Sequence, residues 1–269
     1  MSLLENVLVK PGVVGRLRDC DPAGKLGFSD KDAAKEGTKR DAEEINRLQD
    51  ILYAEGKRAL LVILQGIDTS GKDGTIRDVF NATGPLGIAV HSFRQPSEED
   101  RAHDYLWRVH HVVPRRGTIG IFNRSHYEDL LVVKVKKLAP AEEIAQRYDQ
   151  INAFEKHLSE NGTRVLKFML HISKEEQRER LQARLDEPDK RWKFNPGDLE
   201  DRGLWDDFQA AYETALDRCS TEWAPWHVIP SDRKWVRSAA IASIVRATLE
   251  GMAPRYPVPD WKPGDFTLT

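Results

Sequence analysis

Gly66-Ile-Asp-Thr-Ser-Gly-Lys-Asp73 gathers two glycines, one lysine and two carboxylates into eight consecutive residues. Those residue types at that spacing can hold a phosphate. Backbone N–H groups of a turn built on Gly66 and Gly71 converge on an anion, a following helix adds the positive end of its dipole, and Lys72 adds a full charge. The spacing fits Gly-x-x-x-x-Gly-Lys, with Asp73 where Ser or Thr usually stands. The usual hydroxyl touches Mg²⁺, and a carboxylate in its place can meet the metal directly or through water. Thr69, Ser70 and Gly74 complete the candidate phosphate contacts. The plainer alternative is an ordinary glycine turn before a helix. The flanks argue against it, since apolar Ala59 to Leu64 read as a strand running into the loop and an amphipathic stretch follows.

A second polar cluster, Asn123-Arg-Ser-His-Tyr-Glu-Asp129, follows apolar Ile119 to Phe122. Open α/β sheets bind ligands at the carboxyl ends of their strands. Asn123 stands where such an enzyme usually offers a metal-contacting Asp, and Arg124 can hold two phosphate oxygens at once and stabilise charge on a transferred group. A surface loop with one paired Arg is the alternative. From Arg101 to Lys137 there are eight Lys/Arg and three Asp/Glu, a balance of +5 in a chain of net charge −2. Such a local excess suits a polyanionic substrate, and a solvated basic face competes with that reading. His110 and His111 are adjacent and point apart on a helix, which disfavours a metal pair.

The third cluster is a candidate lid. Arg178, Arg180, Arg184, Lys190, Arg191 and Lys193 place six cations within sixteen residues. Arg180 and Arg184 share a helix face, and a mobile hairpin that brings cations as water leaves suits phosphoryl transfer. Glu179, Asp186, Glu187 and Asp189 permit the plainer account of a salt-bridged surface helix.

Positioning these clusters requires strands alternating with helices. The spacing predicts a helix over Thr38 to Gly56 with an apolar stripe of Ile45, Leu48, Ile51 and Leu52, a phosphate-loop helix running on through Thr75 to Ala82, and a strand over Ile88 to Phe93. A single helix is expected over Ser97 to His111, opened by Ser97 with Asp100 three residues on. Strands over Thr118 to Phe122 and Arg164 to Ile172, a helix over Ala141 to Asn161, a helix opened by Ser173 and a fifth strand over Trp226 to Ile229 complete the set. Strands apolar at nearly every position imply a parallel sheet covered on both faces. The 269 residues suit one large domain, with residues 1–37 as an irregular arm, about 178–203 as the lid and 255–269 as a tail. Cys20 and Cys219 are too far apart in sequence to suggest a disulfide framework, and neither reads as a nucleophile. No apolar run approaches a membrane span, the start carries no export pattern, and global charge shows no nucleic-acid signature, so the expectation is a soluble cytoplasmic protein without nucleic-acid or membrane partners.

Gly66-Ile-Asp-Thr-Ser-Gly-Lys-Asp-Gly74, Phe93-Arg-Gln-Pro-Ser97, His103-Asp-Tyr-Leu-Trp-Arg108, Phe122 to Asp129, Lys190-Arg-Trp-Lys193 and Leu204-Trp-Asp-Asp-Phe208 together resemble polyphosphate kinase family 2 in order and spacing. The resemblance spans about residues 40 to 250. It implies a thymidylate-kinase-like phosphate-loop fold and reversible transfer of the terminal phosphoryl group of inorganic polyphosphate to AMP, ADP or other nucleotides, dependent on Mg²⁺ with Mn²⁺ as a possible substitute. Residues 123–129 look closest to the subgroup that accepts both mono- and diphosphates. Carried over position by position, the resemblance makes Asp68 the carboxylate that positions metal and acceptor, Lys72 the loop lysine, Arg124 the catalytic arginine, and Arg180, Arg184, Lys190 and Lys193 the lid cations. Arg94, Asn123, Glu128 and Asp129 become nucleotide contacts, with Glu128 and Asp129 alternatively helix-start charges. Asp78, Phe80 and Asn81 are candidates to border the nucleoside. A homo-oligomer is implied as well.

Two other classes remain open at this stage. Phe93-Arg94-Gln95-Pro96 is similar to a segment of thymidylate kinases, which suits an ATP-dependent nucleoside monophosphate kinase of the same fold. Asp73 and Asn123 in place of usual metal-site residues suit a nucleotide-binding module without turnover. Six of the tryptophans fall after residue 190, and they read as core or interface anchors rather than base-stacking platforms.

Overall fold

The computed structural model describes residues 6–12 and 17–266. A long helix α1 (Lys31–Glu55) leads into strand β1 (Ala59–Gln65) and the short helix α2 (Lys72–Phe80). Then come β2 (Ile88–Ser92), α3 (Glu98–Ala102), α4 (Trp107–His110), β3 (Ile119–Asn123) and α5 (Val132–Val135). The chain continues through α6 (Ala141–Glu160), β4 (Thr163–His171), α7 (Lys174–Asp186), α8 (Gly197–Gly203), α9 (Trp205–Cys219), β5 (Trp226–Pro230) and α10 (Lys234–Met252).

The five strands form one parallel sheet, as expected, and the structure sets their order as β2-β3-β1-β4-β5. Central β1 is buried at every position because both of its faces are covered. Leu60, Val62 and Leu64 point to the side packed by α1, α2 and α10, through Leu48, Leu52, Val79, Ile241 and Val245. Leu61 and Ile63 point to the opposite side, packed by Phe154 and Leu158 of α6. That alternation is the period-two geometry of a strand. Register pairs Leu64 with Asn123 and with Phe168, so β1 and β3 end side by side and deliver their following loops to one edge.

Three elements differ by more than one residue from the sequence expectation. Helix α1 begins at Lys31 rather than Thr38, because the Asp30 carboxylate accepts from the Ala33 amide at 2.6 Å and caps it there. Part of the residues expected to be an irregular arm is therefore helical. The single helix expected over Ser97 to His111 is two short ones: Ser97 and Asp100 form their reciprocal cap, but His103 is extended and the Asp104 side chain takes the Leu106 amide at 2.9 Å, which breaks the ladder. The phosphate-loop helix, opened at Lys72 with Gly71 as its cap, ends at Phe80 rather than Ala82. The described part of the arm lies on the domain, where Leu8 bridges His227 antiparallel and Val9 N–H donates to the Trp226 carbonyl at 2.8 Å. Among the described residues no helix is long and apolar enough to cross a membrane.

Candidate active site

The loop between β1 and α2 has a conformation that its residues enforce. Gly66 has φ +154° and Gly71 φ +103°, a region that favours glycine. A Cβ on Gly66 would lie 2.8 Å from the Leu170 carbonyl oxygen, and one on Gly71 would lie 1.8 Å from Arg237 Nη1. Backbone crowding and backbone angle both demand glycine at Gly66, whereas at Gly71 the angle demands it and the Arg237 guanidinium fills the space a Cβ would take. Ser70 is buried beneath the turn, with its amide on the Ile67 carbonyl at 3.0 Å.

Lys72 folds back into its own loop, donating to the Gly66 carbonyl at 2.7 Å and approaching the Ile67 carbonyl at 3.4 Å. Burial, together with the nearby Arg124 charge, lowers its pKa to about 8. Asp68 ion-pairs with Arg124, whose other terminal nitrogen reaches Glu128 at 3.3 Å. Arg124 itself holds φ +63°, while its amide still reaches the Leu64 carbonyl at 3.0 Å, so the strand pairing runs to the last residue before the bend. Asn123 Nδ2 donates to Asp73 Oδ1 at 2.7 Å and thereby ties the end of β3 to the start of α2.

These groups open onto a cleft of about 600 Å³. Its wall includes Asp68, Thr69, Gly71, Lys72, Asp73 and Gly74 from the loop, Arg94 after β2, Asn123 and Arg124 after β3, and Arg180, Arg184, Lys190 and Lys193 from the hairpin. Most of the residues expected from sequence are thus brought together. Gly66 and Ser70 lie in the loop but not on that wall. Glu128 serves as Arg124's partner, and Asp129 pairs with Arg147 of α6 at 3.4 Å, its pKa raised to about 6 by burial. Phe80, expected near the nucleoside, is instead a core residue beside Val79 and Ile241. Its position on the inner face of α2 decides that, whereas Asp78 does line the cleft.

The hairpin cations are already engaged. Arg180 bridges Glu176 at 2.7 Å, the Thr69 carbonyl at 2.8 Å and the Ser231 carbonyl at 2.7 Å, and so clasps the phosphate loop to α7 and the end of β5. Arg184 donates to Asp198 at 2.9 Å and to the Lys193 carbonyl at 3.0 Å, and Lys190 pairs with Glu187. Asp198 has its pKa raised to about 6, first by burial and then by the charge of Asp68.

Sequence reasoning missed Arg77, Lys234 and Arg237, all of which line the cleft. Arg237 is 2% exposed, and its Nε has no hydrogen-bond partner. Burial, then the Arg180 charge, lowers its pKa to about 10. The available signal was a lone arginine on the buried side of the Ala- and Ile-rich helix α10, and its distance in sequence from the loop hid its meaning. Across the wall ten Lys/Arg face three Asp, an excess of seven positive charges. Among the described residues no three His, Cys, Asp or Glu side chains form a preformed metal cage. A hard cation such as Mg²⁺ needs only one or two carboxylates when phosphate oxygens and water fill the remaining positions, and Asp68 and Asp73 are carboxylates of that kind.

Comparison with known proteins fits this geometry. Residues 28–257 match the family model described as Polyphosphate kinase 2. The AMP/ADP-polyphosphate phosphotransferase of Meiothermus ruber is 52% identical over 253 residues, covering 94% of this chain and 95% of that protein. The ADP-polyphosphate phosphotransferase of Rhodopseudomonas palustris is 40% identical over 242 residues, 86% of this chain and 84% of that one. The crystal structure of polyphosphate kinase 2 from Arthrobacter aurescens TC1 superimposes with a TM-score of 0.94 at 40% identity, covering 98% of this chain and 95% of that one. With the phosphate loop, the arginine after β3 and the cationic hairpin meeting in one cleft, the chain belongs to the polyphosphate kinase 2 family.

Proposed function

We propose that this protein transfers the terminal phosphoryl group of inorganic polyphosphate to AMP and ADP, reversibly. The observation that carries this reading is the cleft wall itself, where ten cations oppose three carboxylates around a phosphate loop. Ten cations spread along one wall offer more separate phosphate contacts than a nucleotide alone needs, which suits a donor that is a chain of phosphates. The names of the relatives agree, since the one 52% identical is named for both acceptors.

Phosphoryl transfer passes through a loose transition state, so the protein's work is placement and charge compensation. Lys72 leaves its loop carbonyls and Arg124 turns from Asp68 when phosphate oxygens replace those partners. Together they clamp the transferred group. Glu128 keeps Arg124 oriented during that exchange. Asp68 and Asp73 would hold a divalent cation, Mg²⁺ with Mn²⁺ as the substitute, which when bound neutralises phosphate oxygens. Arg94 and Asn123 border the acceptor side. Residues 178–203 act as a lid whose Arg180, Arg184, Lys190 and Lys193 track the polyphosphate and exclude water. The chain works in the cytoplasm as a homo-oligomer, which size-exclusion chromatography with light scattering would check.

The test is to incubate purified protein with Mg²⁺, long-chain polyphosphate and AMP or ADP and to follow products by chromatography, with ATP plus AMP as the control. ADP and ATP formed only with polyphosphate support the reading. Product formed only in the control would indicate an ATP-dependent kinase, and silence in both would indicate a binding module.

A further inference from the structure

The turn that carries Arg124 rests on charged groups with no access to water. Lys167 of β4 and Glu155 of α6 are both fully buried, 2.5 Å apart from nitrogen to oxygen. An ammonium has three protons, and here each has an acceptor: Glu155 Oε2 at 2.5 Å, the Tyr127 hydroxyl at 2.7 Å and the Cys219 carbonyl at 2.7 Å. The Tyr127 hydroxyl in turn donates to Glu155 Oε1 at 2.9 Å, and His126 Nε2 meets the same oxygen at 3.2 Å. His126 and Tyr127 belong to the short turn that follows Arg124 and also contains Glu128.

Stability alone is a weak reason for this arrangement. A buried ion pair often contributes no more than apolar residues of the same size would, because desolvation offsets the attraction. What the pair does achieve is geometric. It ties β4, α6, the carboxyl end of α9 and the turn to a single point. The turn needs such ties, since Arg124 at φ +63° occupies a region that a non-glycine residue keeps only when its surroundings hold it there. Gln65 Nε2 donates to Ser125 Oγ at 3.1 Å, and the same Oγ accepts from the Tyr127 amide at 3.2 Å, so the turn is fixed from the end of β1 as well.

We infer that the Lys167–Glu155 pair, reaching the turn through Tyr127 and His126, is a positioning device for Arg124. It sets where the guanidinium stands without touching substrate. The inference rests on the phosphoryl-transfer reading of the site, in which Arg124 bears on the transferred group.

The test is a double-mutant cycle. Tyr127→Phe removes one hydroxyl and leaves the ion pair in place, while Glu155→Gln keeps shape and removes charge. Each is measured with polyphosphate and ADP, alone and in an Arg124→Ala background, with circular dichroism and melting as folding controls. Tyr127→Phe should lower kcat on the order of tenfold and change the nucleotide KM by less than about twofold. In the Arg124→Ala protein it should cost nothing further, because the group it places is gone. Equal fractional losses in both backgrounds, or wild-type kcat in the folded variant, would overturn the inference. If Tyr127→Phe does not fold, Glu155→Gln is read in the same cycle. Wild-type protein silent with polyphosphate overturns the activity reading instead. Positioning is then judged from the Nε–Hε NMR signal of Arg124, assigned by its loss in Arg124→Ala. That signal should shift and broaden in Tyr127→Phe, and an unchanged signal overturns the inference.

Discussion

The phosphate loop and the cationic hairpin face one cleft but hold their charges in opposite ways. In the loop Lys72 is buried, its ammonium rests on backbone carbonyls, and Gly66 and Gly71 hold backbone angles that favour glycine. In the hairpin the cations are more exposed and most lean on local acids: Lys190 on Glu187, Arg184 on Asp198. A buried charge that rests on dipoles is poised for an anion. A half-buried cation already paired with an acid is partly neutralised, and what reaches solvent is screened by salt. On the proposed reading the difference separates a part that does chemistry from a part that gathers the substrate, and substitutions in the two should behave differently.

The largest effect is expected at the loop and its arginine. Lys72→Ala and Arg124→Ala should each lower kcat on the order of 10²-fold or more while the fold is kept, as loss of one transition-state donor does. Steady-state kinetics beside circular dichroism checks this, and near-normal turnover in either folded variant would remove the distinction. Next comes Gly71→Ala. Its Cβ meets Arg237 and its backbone must stay at φ +103°, so a loss of about 1–3 kcal/mol in stability is expected from thermal or urea melts, with activity falling in parallel.

A third expectation concerns pH. Burial holds the Lys72 pKa at about 8, so the side chain is charged below that value and loses its proton above it. Bound phosphate favours the charged form and raises the pKa, hence affinity should be level below about 8 and weaken as pH rises beyond it, by at most about tenfold per unit. Titration calorimetry with tripolyphosphate at pH values on either side of the Lys72 pKa reads the slope, and Lys72→Ala should flatten it. The smallest effect belongs to the hairpin: Lys193→Gln should raise the polyphosphate KM roughly two- to fivefold with kcat little changed, the rise shrinking as salt is added. A kcat loss as large as that of Lys72→Ala would place the hairpin in the chemistry and collapse the contrast.

Much of this was legible beforehand. The five parallel strands announced themselves as apolar runs between helical periods, and the loop announced itself as a glycine and lysine spacing between strand and helix. Those signals are local in sequence, and so is the physics that makes them. What stayed hidden was non-local. Arg237 enters from a helix 166 residues beyond Gly71, visible only once that helix packs against α2. Lys167 and Glu155 read as one charged residue in a strand and one on a helix face, with nothing to announce that they meet. The break after Ala102 was missed for a different reason, since an Asp side chain competing for a backbone amide outweighed a helical pattern.

By itself the sequence determined the order of elements and the identity of the phosphate loop, because strand and helix periodicity and the conformational freedom of glycine act within a few residues. Only the tertiary structure decided which cations share the cleft, which of them are already paired, and which buried charges brace Arg124. Coulomb energy and desolvation depend on distance through space and on access to water, and neither is set until the sheet and its helices have packed.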